Sequence, residues 1–379
     1  MSPPAENADR PAIGPGSHLL VTGGAGFIGS AFVRDILGRR DGTRITVLDK
    51  LTYAGNRANL APVEADPEQA ARLRFVEGDI ADPVVVGSLT APVAGGAAPR
   101  AVDAIVNFAA ESHVDRSILD PEAFLRTGVI GVHVLLDAFR EEWARAASGE
   151  RPRPRFLHVS TDEVYGSIDA GHATEATAFD PRSPYAAAKA AGDHLVRSFF
   201  ATYGLDIVIT RGSNTYGPYQ HPEKLIPLFV TNALDDLELP LYGDGLQRRD
   251  WLHVRDHAGA VEFVLRHGRS GQAYNVPGGN EMTNRELVER LLAVLDKPWS
   301  LVRSVEDRSG HDRRYAMDGT LIASLGWRPE VSLADGLAET VAWYRSNEPW
   351  WRSARSGNWD AYYEQQYGAR LANAVNPAQ

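Results

Sequence analysis

From His18 onward, short apolar runs alternate with longer stretches of helical spacing. HLLVT, ITVLD, RLRFVE, AVDAIVNF and RFLHVST are short and nearly continuous in apolar residues, the pattern of strands buried on both faces. AFVRDILGRR and FLRTGVIGVHVLLDAFREEWARA lie between them and have helical spacing. Strands alternating with helices predict an α/β fold, a doubly wound parallel sheet with helices on both faces. After about residue 215 the rhythm loosens: short apolar stretches such as LPLYGDG and YNVPGGNE sit among prolines and glycines. DWLHVRDHAGAVEFVLRHG reads as one more strand and helix, and TNRELVERLLAVL as a helix capped by Thr283 with Glu286 three residues on. The expected organisation is a tail over 1–17, a large sheet domain over 18–215 joined by about 250–272, a smaller α+β lobe over 216–249 and 273–365, and a tail over 366–379. APVAGGAAP and ASGERPRPR read as inserted loops.

Composition narrows the class. A chain of 379 residues exceeds the usual size of one hydrophobic core, which suits a domain plus a lobe. With 49 acidic against 39 basic side chains the net charge is −10, so no broad nucleic-acid surface is expected. There is no cysteine, which excludes disulfides, thiolate metal sites and a cysteine nucleophile; no metal is expected. No apolar run approaches the roughly 18 residues of a membrane span, and the N-terminal stretch lacks the apolar core of a secretory signal. A soluble cytoplasmic protein, with no membrane partner, is the expectation. Lysine is scarce (Lys50, Lys189, Lys224 and Lys297), and three of the four fall in the motifs below.

The first strand runs into VTGGAGFIGS, where Gly23, Gly26 and Gly29 bracket Phe27 and Ile28. Glycines at this spacing allow a tight turn and let backbone approach a pyrophosphate, with the next helix aiming its N–H groups at the anion. Twenty residues after Gly29 comes Asp49, placed to accept the ribose hydroxyls of NAD and to repel a 2′-phosphate. Lys50 beside it weakens that preference. Asp79 and Ile80, after the third strand, are placed to reach the adenine; their plainer reading is a loop acid and a core residue.

SPYAAAKA opens a helix with Ser183 as cap and Pro184 as first residue, which puts Tyr185 and Lys189 on one face. A phenol ionises near pH 10, and a neighbouring ammonium is expected to lower that value so that Tyr185 can act as a base. HVSTDEVYG ends a strand and delivers Ser160, Thr161, Asp162 and Glu163 to the rim where open α/β sheets bind ligands. Adjacent carboxylates in unlike environments supply an acid and a base in one site; the plainer reading is a solvated acidic loop.

TGGAGFIG, AAESHVDRS, VSTDEVYG, SPYAAAKA, NTYGPYQHPEKLIP and GHDRRY together resemble the extended short-chain dehydrogenase/reductases and, among them, the dTDP-glucose 4,6-dehydratases, over about residues 18–350. The resemblance implies a Rossmann domain that holds NAD, a C-terminal lobe for the nucleotide sugar dTDP-glucose, and a homodimer. It implies that Tyr185 takes the sugar 4-hydroxyl proton with Thr161 holding that oxygen. Glu163 then removes the C5 proton and Asp162 protonates the departing C6 hydroxyl. It adds Ala109, Ala110 and Asn214 as cofactor contacts, and Ser112 and His113 beside the sugar or nicotinamide. Lys224 and Arg249 become diphosphate anchors, and Asn275, Arg308, His311 and Tyr315 nucleotide contacts. The chain departs from the family pattern at Thr215, where a second asparagine is usual, and at Gly128 and Val132, which lose an amide and a hydroxyl near the cofactor. Two other readings stand beside this one. A UDP- or GDP-sugar dehydratase or epimerase would share Tyr185 and Lys189; an epimerase has no use for adjacent acids. A non-enzymatic NAD-binding protein would be free to lose these groups, and none is missing.

Overall fold

The computed structural model describes residues 13–90, 101–148, 152–308, 310–355 and 359–374. Seven parallel strands form the large sheet: β1 (His18–Thr22), β2 (Arg44–Asp49), β3 (Leu73–Glu77), β4 (Ala104–Asn107), β5 (Arg155–Thr161), β6 (Ile207–Gly212) and, further on, β10 (Ala273–Val276). Their spatial order is 3-2-1-4-5-6-10. The chain reverses direction of winding between β1 and β4, and such a switch point opens a crevice at the strand C-termini. Alternation along β1 shows the two-sided burial: Leu19 and Val21 face one hydrophobic layer with Val47, Val106 and Leu157, and Leu20 faces another with Leu48, Ile105 and Phe156.

The lobe contains β7 (Asn214–Tyr216), β8 (Leu239–Tyr242), β9 (Arg248–His253), β11 (Glu281–Thr283) and β12 (Val302–Val305). β9 pairs parallel with β7 and antiparallel with β11, and β12 pairs parallel with β8. A separate core of Trp251, Leu287, Leu291, Tyr344 and Trp351 lies under them. The capping box at Thr283 and Glu286 forms as the sequence predicts and starts the helix Asn284–Leu295.

Three expectations need correction. Ala273–Val276 closes the large sheet against β6, whereas β9 joins the small three-stranded sheet, so the strands on either side of the helix Val254–His267 exchange the places expected of them. The N-terminal tail ends early: Ile13 is buried and its carbonyl accepts from Arg266. The C-terminal tail also docks, because Tyr367 is buried and Gln366 Nε2 donates to Asp115 Oδ2 at 3.0 Å. Apolar side chains at these positions find a core that the local pattern cannot reveal. Residues 1–12 and 375–379, the APVAGGAAP stretch and part of ASGERPRPR lie outside the described residues. Among the described residues no helix is long and apolar enough to cross a membrane.

Candidate active site

The ends of β1, β4, β5 and β6 open into one cleft. At its floor Gly23 has φ +69°, and a Cβ there would sit 2.6 Å from the Ala109 nitrogen. A Cβ on Gly29 would lie 2.3 Å from the Gly23 carbonyl oxygen. Both positions therefore require glycine. Gly26 precedes the helix Phe27–Gly38, whose first N–H groups face the cleft with no side-chain cap. This is a cradle for a pyrophosphate.

Asp49 ends β2 and is buried; its Oδ2 accepts from the Ala25 N–H and its Oδ1 from the Leu51 N–H, both at 2.9 Å. Burial raises its pKa against those bonds. Each oxygen keeps a lone pair for a ribose hydroxyl. Lys50 Nζ sits 2.9 Å from Asp79 Oδ2, which directs the ammonium toward a carboxylate rather than toward a 2′-phosphate. Burial alone would raise Asp79, but the Ala81 N–H, Lys50 and Arg126 outweigh it and hold the carboxyl below its usual range. Phe27, Ile28, Asp79, Ile80, Ala109, Ala110, Ser112 and Asn214 all line the cleft, and the buried Asn214 Oδ1 has no protein partner.

The departure at Gly128 has a packing reason, and Val132 is buried in the apolar layer with Leu135 and Leu136. The helical stretch from Pro121 to Ala147 takes a wider, π-type turn over Arg126–Gly131. A Cβ on Gly131 would meet Ile80 Cδ1 at 2.6 Å, and one on Gly128 would meet Ala188 Cβ at 3.1 Å. The absence of a Cβ at Gly128 and Gly131 lets this helix close on Ala188, in the helix of Tyr185, and on Ile80. Thr215 Oγ1 instead bonds His257 Nδ1 at 2.7 Å.

Local sequence explains the helix that carries Tyr185 and Lys189, Pro184–Tyr203. Ser183 Oγ accepts from the Ala186 N–H at 3.1 Å, Pro184 opens the helix, and Gly204 ends it in the left-handed conformation. Tyr185 and Lys189 line the cleft beside Ser160, Thr161, Asp162 and Glu163. The expected electrostatics differ. Lys189 Nζ donates to the Val159 carbonyl at 2.6 Å, and burial lowers the ammonium to about 8 despite the nearby Asp193. Tyr185 is raised, not lowered: burial comes first and the Glu163 charge next, against a hydrogen bond with Thr161. A shared helix face does not decide which acceptor Lys189 finds.

β5 ends in a tight turn over Asp162–Tyr165, with Thr161 Oγ1 accepting from the Glu163 N–H at 3.4 Å. Asp162 is buried, and its Oδ2 has no protein partner; burial and then Glu163 push its pKa well above the ordinary carboxylate range. Burial also raises Glu163, while Arg308, Lys224 and Arg249 pull it back. Both carboxyls are thus raised, Asp162 well above its range and Glu163 with three cations acting against its burial.

The lobe brings Lys224, Arg249, Arg308 and Tyr315 to the Glu163 end. Lys224 Nζ donates to the Ser112 carbonyl. Arg249 lies 4.2 Å over the Tyr315 ring, and Tyr315 Oη is 3.4 Å from Glu163 Oε2 and 2.7 Å from Asp312 Oδ2. His311 is held by Asp307 at 2.6 Å, and burial with Arg308 and Arg249 lowers it to about 4, so it is neutral.

Two expected contacts point elsewhere. Asn275 is fully buried on β10: its Oδ1 accepts from Tyr165 Oη at 2.8 Å and its Nδ2 donates to the Ala173 carbonyl at 3.0 Å. The amide is spent inside the protein. His113 turns its Nε2 to the Glu223 carbonyl at 3.3 Å beneath the cleft wall, and burial lowers it to about 4. Sequence reading overlooked Glu111, which lines the cleft, and Tyr53, whose oxygen accepts from the N–H groups of Ser112 and His113. It also passed over Glu223, fully buried and bonded to Arg116 Nε at 2.9 Å. Glu223 sits inside the HPEKLIP segment beside Lys224, so adjacency was the available signal.

Comparison with known proteins agrees with this geometry. A family model described as GDP-mannose 4,6 dehydratase matches residues 20–340. A dTDP-glucose 4,6-dehydratase of Streptomyces niveus is 52% identical over 344 residues, covering 89% of this chain and 96% of that protein. A dTDP-glucose 4,6-dehydratase of Escherichia coli is 45% identical over 370 residues, covering 93% and 99%. The crystal structure of a dTDP-glucose 4,6-dehydratase of Streptomyces venezuelae, solved with NAD bound, superposes with a TM-score of 0.81 at 54% identity, covering 89% of this chain and 99% of that one.

Proposed function

The chain belongs to the dTDP-glucose 4,6-dehydratase family, and from that membership we propose a division of labour among its residues. The enzyme is an NAD-dependent hydro-lyase that converts dTDP-glucose to dTDP-4-keto-6-deoxyglucose. The glycine cradle, the open lone pairs of Asp49 and the unpartnered Asn214 Oδ1 fit NAD. Bound in this cleft, NAD would supply a hydride acceptor for C4, a hydride donor for C6 and a positively charged nicotinamide.

Tyr185 takes the proton of the sugar 4-hydroxyl, and Thr161 holds that oxygen. Lys189, held by the Val159 carbonyl, orients the cofactor ribose. Once C4 is a ketone the C5 hydrogen is acidic, and Glu163 removes it. Asp162, whose pKa burial pushes well above the ordinary carboxylate range, gives its proton to the C6 hydroxyl as water leaves. Glu163 then returns a proton to C5. Lys224 and Arg249 hold the diphosphate, with Arg308, His311 and Tyr315 toward the nucleotide and Ser112 beside the sugar.

The observation that carries this reading is the pair Asp162 and Glu163 in one cleft with Tyr185, Asp162 Oδ2 buried without a protein partner and Glu163 Oε2 facing Tyr315 from the lobe. An epimerase leaves that pair without a task. A homodimer is part of the proposal: Ile118, Leu119, Leu125 and Ile130 are apolar and about half exposed along one segment, which suits a second copy. The use of a nucleotide sugar and NAD supports a cytoplasmic enzyme of deoxysugar synthesis. The test is mass spectrometry of product from dTDP-glucose deuterated at C4. Loss of water with deuterium retained at C6 is expected; an unchanged mass with scrambled C4 stereochemistry would replace the reading with an epimerase.

A further inference from the structure

Under the catalytic cleft a row of buried polar side chains crosses five strands of the large sheet. Thr22 Oγ1 on β1 donates to Asn107 Oδ1 on β4 at 2.6 Å, and Asn107 Nδ2 lies 3.0 Å from His158 Nδ1 on β5. An amide donor on Nδ1 leaves the proton of the neutral ring on Nε2, which faces Asp193 Oδ1 at 3.8 Å. Burial first, then the Lys189 and Arg211 cations, keep His158 neutral. Asp193 Oδ2 accepts from Arg211 Nε on β6 at 2.8 Å. Arg211 Nη1 donates to Tyr165 Oη at 2.7 Å, and Tyr165 Oη donates to Asn275 Oδ1 on β10 at 2.8 Å. Strand register makes this row: Thr22 is paired with Asn107, Asn107 with His158, and Arg211 with Asn275.

The two ends of the central link matter. Asp193 lies four residues after Lys189 and eight after Tyr185, on the same face of one helix. Tyr165 closes the short turn that begins with Asp162 and Glu163. Arg211 and Asp193 are both fully buried, and desolvating such a pair offsets much of its attraction, so it is a poor source of stability. It is a good source of geometry, because each charge accepts only a partner in the right place. Gly192 makes room for it: a Cβ there would come within 3.2 Å of His158 Nε2.

We propose that Asp193, Arg211 and Tyr165 are positioning residues, a buried bracket that fixes the helix of Tyr185 and Lys189 against the turn of Asp162 and Glu163. The groups for oxidation at C4 and the groups for water loss are thereby held in register around one sugar. The inference rests on the dehydratase reading of the cleft. Around Lys189 stand Tyr185 and Asp193 on its own helix, His158 on β5 and, behind Asp193, Arg211 on β6. Asp193 is the negative charge that favours the ammonium.

Two isosteric variants test the bracket. Tyr165→Phe releases the acid turn without touching the helix, so kcat with dTDP-glucose should fall about tenfold. Reduced nicotinamide should build up during turnover while KM stays near the wild-type value. An unchanged rate, or a slower one without that build-up, would overturn the proposal. Asp193→Asn keeps an acceptor for Arg211 and removes the charge. With only four lysines in the chain, carbon-13 labelling at lysine Cε lets the Lys189 titration be followed by NMR on the protein itself. Its midpoint should drop below the wild-type value, and an unchanged midpoint would overturn the bracket. Wild type failing to dehydrate dTDP-glucose would instead defeat the functional reading, and the Lys189 titration would still be readable.

Discussion

Asp162 and Glu163 are neighbours on one turn, yet Glu163 faces Arg308, Lys224 and Arg249 while Asp162 Oδ2 is buried without a protein partner. Sequence adjacency gives the two carboxyls one backbone position, and the lobe gives them different surroundings. Asp162→Asn keeps the shape and removes the transferable proton. Oxidation at C4 should persist, and water loss should fall by roughly 10²-fold or more. The check is reduced nicotinamide accumulating on substrate addition, with little 4-keto-6-deoxy product. Full turnover would remove Asp162 from the role of acid.

Tyr185 is held above its usual pKa by burial and by Glu163, so its proton acceptance depends on charge brought in with the cofactor. Tyr185→Phe retains the ring, which meets Phe124 edge-on at 6.2 Å, and so leaves packing in place. The first hydride transfer should slow by roughly 10²- to 10⁴-fold. Stopped-flow absorbance of reduced nicotinamide after mixing with dTDP-glucose measures that step alone, and a wild-type amplitude and rate would contradict the assignment.

What the sequence made legible was local. The glycine cradle, the Ser183 cap, Pro184 and Gly204 act within a few residues of themselves, so spacing alone located them. Long-range pairing was not legible. Asn275 looks like a free amide in YNVPGGNE, but strand β10 seats it against Tyr165 from 110 residues away. The i,i+4 spacing of Tyr185 and Lys189 was read correctly as a shared face, while the Val159 carbonyl that takes the ammonium belongs to another strand. Glu223 and Tyr53 went unnoticed because their partners, Arg116 and the Ser112 and His113 N–H groups, are also distant in sequence.

Gly131 offers a test of the cofactor side. A methyl there would come within 2.6 Å of Ile80 Cδ1 and Cγ1, and Ile80 lines the cleft. Gly131→Ala should cost about 1–3 kcal/mol through overpacking and push Ile80 toward the adenine position. NAD retention after gel filtration should fall, measured as the ratio of nicotinamide to protein, while the fold persists by circular dichroism. Undiminished retention would show that Ile80 does not border the adenine.

Lys189 links function to stability through pH. Its pKa in the folded protein is about 8, against 10.5 as the ordinary value, because burial penalises the ammonium. Between those values the unfolded chain binds more protons at this site than the folded one, so the site's contribution to stability rises with pH across that window. Below about pH 8 the charged group is carried at its full cost of roughly 3 kcal/mol, at about 1.4 kcal/mol for each pH unit of displacement. Lys189→Met removes that cost and also leaves the Val159 carbonyl without its donor. The stability difference between wild type and Lys189→Met should therefore shift in favour of wild type as pH rises from 7 toward 10, by up to about 3 kcal/mol. Urea unfolding of both proteins at several pH values measures it, and common titrations cancel in the difference. A difference independent of pH would mean that Lys189 is not destabilised by its burial.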